Sequence, residues 1–142
     1  MADTMHAIVA YIKELGFPVL TEHVSEADPI LAFAEKIGKT KENLTAIDVE
    51  TQDTAWLDQA THVIAEISGA STGTGREIEY ARTKGQLGKV PAQVLCLYQE
   101  EREFYASSMI RGMNKIRYPN ITVTEYKDMT EVKAIIEKFL RN

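Results

Sequence analysis

Two hydrophobic periods alternate along this chain, and that alternation restricts its fold more than any other feature. Short apolar runs suited to strands, His62–Ile67, Val94–Tyr98 and Ile121–Tyr126, are separated by stretches whose apolar residues recur at helical spacing. Met5, Ile8, Val9, Ile12 and Leu15 share one helical face, and Gly16 follows as a stop. Phe17–Val24 predicts a further extended segment, with Pro18 near its start. Asp28-Pro29 has the form of an N-cap followed by proline in the first turn, leading Ile30–Ile37 to Gly38. A helix over part of Lys41–Ala60 puts Trp56, Leu57 and Ala60 on its inner face. Gly75–Lys84 predicts a helix closed by Gly85, Glu103–Gly112 another, and Thr130–Leu140 a terminal amphipathic one.

Strands alternating with helices imply an α/β fold, a doubly wound, flavodoxin- or Rossmann-like parallel sheet of about four to five strands with helices on both faces. Ligands of such sheets bind beyond the carboxyl ends of the strands. That rule directs attention to Thr21–Val24, Ser68–Glu77 and Gln99–Ser108. At 142 residues the chain suits one domain, read here as residues 1–142. The formal net charge is −5 and no Lys/Arg cluster concentrates positive charge, which disfavours a nucleic-acid partner. A small anion held by backbone amides and hydroxyls remains open. The single cysteine, Cys96, excludes an internal disulfide, and Ala7–Ile12 is too short for a membrane span or a signal sequence. The chain is therefore expected in the cytoplasm. No His/Cys/Asp spacing suggests a metal, and His6 and His62 read as structural.

The informative stretch is Asp53–Ala81, which reads helix, strand, small-residue loop, helix. Ser68–Gly75 holds three Gly, two Ser and two Thr and enters the helix that carries Glu77. Glycines let a ligand approach the backbone, and a helix start offers unpaired N–H groups to an anion. Many strand-to-helix loops are glycine-rich for turn geometry alone. Glu77, placed in the first helical turn, has the plain reading of a carboxylate facing the helix dipole. Asp53 has an equally plain one as a cap or solvated side chain. Asp58 and Glu66 are further acids that spacing does not exclude.

The pattern D-x-x-W-L-x-Q-A from Asp53, a V-x-A-E strand and S-x-G-x-G-x-E-x-x-x-A from Ser71 resembles the nucleoside 2-deoxyribosyltransferase superfamily. Three further segments, Val19–Val24, Val94–Tyr98 and Ser107–Gly112, narrow the resemblance to the deoxynucleotide N-hydrolase branch. The matches occur in the family's order and, with the helices, span nearly the whole chain. The resemblance implies cleavage of the N-glycosidic bond of 2'-deoxynucleoside 5'-monophosphates without a cofactor. Glu77 would be the nucleophile that forms a glycosyl-enzyme ester, and Asp53 the second carboxylate, protonating the departing base or orienting Glu77. Ser71 and Ser107 match positions that contact the 5'-phosphate, and Gly73 and Gly75 would let the backbone reach the substrate. Ser107–Met109 would come partly from a neighbouring subunit, which implies a homodimer with shared sites. Met109 would lie near the base, or be a core or interface methionine. His23 would line the base pocket or be structural.

The chain departs from the family at its start. A strand and a Y-x-x-G-S-I-R-G-type loop precede the family's first helix, whereas this sequence opens in that helix. Three accounts stand: a start codon assigned too late, direct pairing of Phe17–Val24 with His62–Ile67, or a missing piece supplied by another subunit. The competing functions are transfer of the deoxyribosyl group to another base and nucleotide binding without catalysis.

Overall fold

β2 (Gln93–Gln99) is the axis of the sheet. It lies between β1 (His62–Glu66) and β3 (Ile121–Tyr126), and both neighbours run parallel to it. The computed structural model describes residues 2–142, which divide into two compact units, 2–56 and 57–142. The second unit holds the sheet together with α4 (Thr72–Thr83), α5 (Ser108–Arg111) and α6 (Met129–Arg141).

The register explains how that unit is built. Val63 and Ala65 lie opposite Val94 and Cys96, which lie opposite Ile121 and Val123, so one face is a continuous apolar surface. Ile78 and Ala81 of α4 pack on it with Ala106. Leu95 and Leu97 point to the other face, as does His62, whose ring meets Phe139 of α6 edge-on at 5.3 Å. Helices therefore cover both faces. A strand enclosed in this way needs an unbroken apolar run, and Val94, Leu95, Cys96 and Leu97 are all 0% exposed. Each such leucine contributes roughly 1.5–3 kcal/mol by leaving water. Burial also pushes the Cys96 thiol up to about 12, so it packs as an inert apolar group.

The first unit comprises α1 (Ala2–Glu14), α2 (Pro29–Lys36) and most of α3 (Ala46–Gln59). α1 ends where Gly16 adopts φ 90° and the Phe17 N–H donates to the Ile12 carbonyl. α2 begins as read: Asp28 accepts from the Leu31 N–H at 3.1 Å, Pro29 fills the first turn, and Gly38 at φ 73° ends the helix. Ile8, Val9, Phe33, Ala34 and Trp56 are its buried apolar residues.

Four sequence expectations are corrected. Among the described residues the sheet has three strands, not four to five. Phe17–Val24 is not extended: it ends in a 3₁₀ turn, Glu22–Ser25, whose amides bond locally, Val24 to Thr21 and Glu26 to His23. A strand must bond its backbone to a neighbour, and this segment bonds to itself instead. Direct pairing of Phe17–Val24 with His62–Ile67 is thereby overturned. α4 starts at Thr72 rather than Gly75, so Gly73 and Gly75 are helical and Glu77 stands in the second turn. Glu103–Gly112 is not one helix: a 3₁₀ segment, Glu100–Tyr105, is separated from α5 by extended backbone at Ala106.

Candidate active site at the carboxyl end of the sheet

The loop after β1 is short because its second residue is pinned. Ser68 is 0% exposed, and its Oγ accepts from the Gln99 N–H at 2.8 Å while its carbonyl accepts from Arg102 Nε at 3.2 Å. Gly69 and Ala70 then emerge into solvent. Ser71 caps α4, its Oγ accepting from the Thr74 N–H at 3.2 Å. This cap leaves other first-turn amides of α4 outside the helical bonding pattern, directed at whatever stands before the helix.

Gly73 and Gly75 sit within that first turn. A Cβ added at either would meet nothing within 4 Å. Each glycine costs a helix roughly 0.5–1 kcal/mol relative to alanine. Neither has a positive φ or a close protein neighbour to account for it, and the open space admits a ligand to the backbone. Glu77 is exposed on the next turn. Its neighbours Ile78 (2% exposed) and Ala81 (0%) fasten the helix to the sheet.

The second segment follows β2, so it emerges at the same end of the sheet. Ala106 is buried, and Ser107 begins α5 with its carbonyl accepting from the Ile110 and Arg111 amides at 3.1 and 2.9 Å. Arg111 braces the bend: Nε donates to the Ala106 carbonyl at 3.1 Å, and Nη1 lies 3.6 Å from the Glu103 carboxylate. Ser107 itself is exposed. Around it Phe104, Tyr105 and Met109 are 90%, 65% and 85% exposed, an unusual concentration of apolar surface.

Asp53 and His23 belong to the first unit. Asp53 lies on α3, half-buried, and burial raises its pKa above the usual carboxylate value. His23 is buried in the 3₁₀ turn, with ring centroids 5.1 Å from Phe33 and 5.2 Å from Trp56, so its surroundings are those of a core side chain. Burial and the Lys36 charge lower its pKa. The second unit thus gathers Ser71, Gly73, Gly75, Glu77, Ser107 and Met109 into the segments that follow β1 and β2.

Sequence reasoning passed over Ser68 and Tyr126, and it left Glu66 as one acid among several. Glu66 and Tyr126 are the last residues of β1 and β3, and that position at the carboxyl end is the signal that could have found them. Lys84 was also missed. It is 0% exposed and donates to the Asp58 and Ala60 carbonyls at 3.1 and 2.8 Å.

No protein-family model matches the chain. Individual relatives do. A 5-hydroxymethyl-dUMP N-hydrolase of Tetraodon nigroviridis is 29% identical over 143 residues, covering 99% of this chain and 88% of that protein. Another of that name from Branchiostoma floridae is 33% identical over 94 residues, 66% of this chain and 81% of the relative. A protein of Thermofilum pendens with the provisional name 2'-deoxynucleoside 5'-phosphate N-hydrolase 1 is 31% identical over 129 residues, 91% of this chain and 78% of its own length. At this identity over most of both chains, this chain belongs to the family of 2'-deoxynucleoside 5'-phosphate N-hydrolases and is a hydrolase of N-glycosyl compounds.

Proposed function

We propose that this chain hydrolyses 2'-deoxynucleoside 5'-monophosphates to the free base and 2-deoxyribose 5-phosphate. Glu77 attacks the anomeric carbon as the bond to the base breaks, and the base leaves with the bonding pair and takes a proton from Asp53. Water then cleaves the glycosyl ester: its oxygen bonds to the anomeric carbon, its proton returns to Asp53, and the Glu77 carboxylate leaves as it began. A carboxylate nucleophile divides one hard displacement into two easier ones, as in retaining glycoside hydrolysis. The observation that carries this reading is the position of Glu77: exposed, on a helix packed to the sheet, just beyond a glycine-bearing turn at the carboxyl end of β1.

Other features support the assigned roles. Burial makes Asp53 hold its proton to higher pH than an exposed aspartate, as a proton donor to the base should. Ser71 and Ser107 present hydroxyls at one end of the sheet and receive the 5'-phosphate with the amides of Thr72 and Gly73. Met109, exposed as are Phe104 and Tyr105 of the preceding segment, meets a second copy of the chain, so the active form is a homodimer with shared sites. His23, packed against Phe33 and Trp56, is a framework residue of the first unit. The enzyme works in the cytoplasm, where its substrates are found. No helix among the described residues is long and apolar enough to cross a membrane.

The test is incubation with each of the four deoxynucleoside 5'-monophosphates and with the unphosphorylated deoxynucleosides, following free base by chromatography. Release from the monophosphates is the expected result. Preference for the free nucleosides, or transfer of the sugar to an added second base in place of water, would make the chain a deoxyribosyltransferase. Asp53→Asn should slow release by about 10²–10⁴-fold, the range for a positioned proton donor.

A further inference from the structure

The ends of all three strands are tied together by one carboxylate and one buried serine, and the reaction outlined above uses neither. Glu66 ends β1. Its Oε1 accepts from the Ser68 N–H and its Oε2 from the hydroxyl of Tyr126, the last residue of β3. Glu66, Leu97 and Thr124 lie in register, so the Glu66–Tyr126 bond passes over the end of β2 from one outer strand to the other. At a spacing of about 4.8 Å per strand, that bond bridges about 10 Å of sheet. Ser68 completes the set by taking the Gln99 amide of β2 on its Oγ.

This arrangement separates two anchors. α4, with Glu77, is held by Ile78 and Ala81 in the apolar core. Gly69 and Ala70 have no such anchor, because both are exposed and only Ser68 beneath them is fixed, whereas Ser71 beyond them is bonded to α4 as its cap. Tyr126 is 4% exposed, and its burial beside Glu66 raises its pKa to about 12, so it stays a hydrogen donor throughout the working range.

We propose that Glu66 and Tyr126 are positioning residues for the phosphate-binding half of the site, fixing Ser68 and through it the Gly69–Ala70 run that leads into the Ser71 cap, while Glu77 takes its place from its own helix. The inference rests on the hydrolase reading. It assigns the pair an effect on affinity for the phosphorylated substrate rather than on the chemical step.

Steady-state base release from deoxynucleoside 5'-monophosphates by Tyr126→Phe and Glu66→Gln tests this. Tyr126→Phe keeps the ring that fills the core and removes only the hydroxyl, and Glu66→Gln is a second route to the same loss. Both should raise KM about tenfold, the equivalent of ~1.4 kcal/mol, with kcat within about twofold. Amide hydrogen exchange should quicken at Ser68–Ala70 and stay unchanged at Ile78–Ala81. A fall in kcat at unchanged KM, or no change in either, would overturn the proposal. Absence of base release by the unsubstituted chain would sink the hydrolase reading instead. Exchange alone then decides the anchoring, and unaltered exchange at Ser68–Ala70 in both variants overturns it.

Discussion

The two units bury polar groups in opposite ways. In the second unit Ser68 and Lys84 are fully enclosed and bonded at every turn: Ser68 to Glu66, Gln99 and Arg102, Lys84 to two carbonyls at the end of α3. In the first unit His23 is also buried, yet its Nδ1 has no hydrogen-bond partner among the described residues. A buried group with its partners adds a modest net stabilisation, whereas one without them carries its whole desolvation cost. Polar burial therefore holds the sheet's strand ends in place, while in the first unit it is a liability offset by the ring contacts with Phe33 and Trp56.

The sharpest way to break this comparison is Lys84→Ala. It strips two carbonyls of their donor and leaves a hole in a closed site, and should cost about 3 kcal/mol in urea unfolding. A loss under about 1 kcal/mol would mean that the buried ammonium does not brace α3. Next in size is a matched pair of hydrophobic replacements. Tyr126→Phe leaves a half-buried carboxylate oxygen without its donor and should cost about 2 kcal/mol, whereas His23→Phe removes an unpaired nitrogen and should change stability by less than about 1 kcal/mol in either direction. Equal losses in the two variants would erase the distinction between the units.

The smallest effect is one of pH. The folded-state pKa of His23 lies below its ordinary 6.5, so the unfolded chain takes up the proton first as pH falls. Its contribution is complete above about 6.5 and is lost as pH drops toward the folded value. Asp53 acts with the opposite sign, because a raised folded pKa favours the folded state as pH falls. Subtracting the His23→Phe pH profile from that of the unsubstituted chain isolates the histidine. A difference profile that is flat from pH 7 to 5 would show that His23 does not titrate against the fold.

The readable parts of this molecule are those governed by short-range rules. Asp28-Pro29 and Gly38 bound α2 because a cap and a left-handed stop are local chemistry, and Val94–Tyr98 is a strand because an unbroken apolar run fits only an enclosed position. Glu77 drew attention through the motif around it rather than through spacing. What escaped depends on distant partners. Phe17–Val24 has the composition of a strand, but a strand also needs a neighbour to bond, and composition does not report one. Ser71 outweighed the glycines after it by capping the helix at Thr72, and a serine followed three residues later by an amide it can accept from was the local sign of that. Lys84 ran against the expectation that lysine is exposed, and nothing in the flanking residues reports carbonyls more than twenty positions away.

The measurement closest to the central claim is base release from the four deoxynucleoside 5'-monophosphates by the unsubstituted chain and by Glu77→Ala. Because Glu77 is exposed, the substitution should leave stability within about 0.5 kcal/mol, so any lost activity reports chemistry rather than unfolding. The account predicts release by the unsubstituted chain and none above background by the variant. Equal release by both would contradict it and remove Glu77 from the reaction.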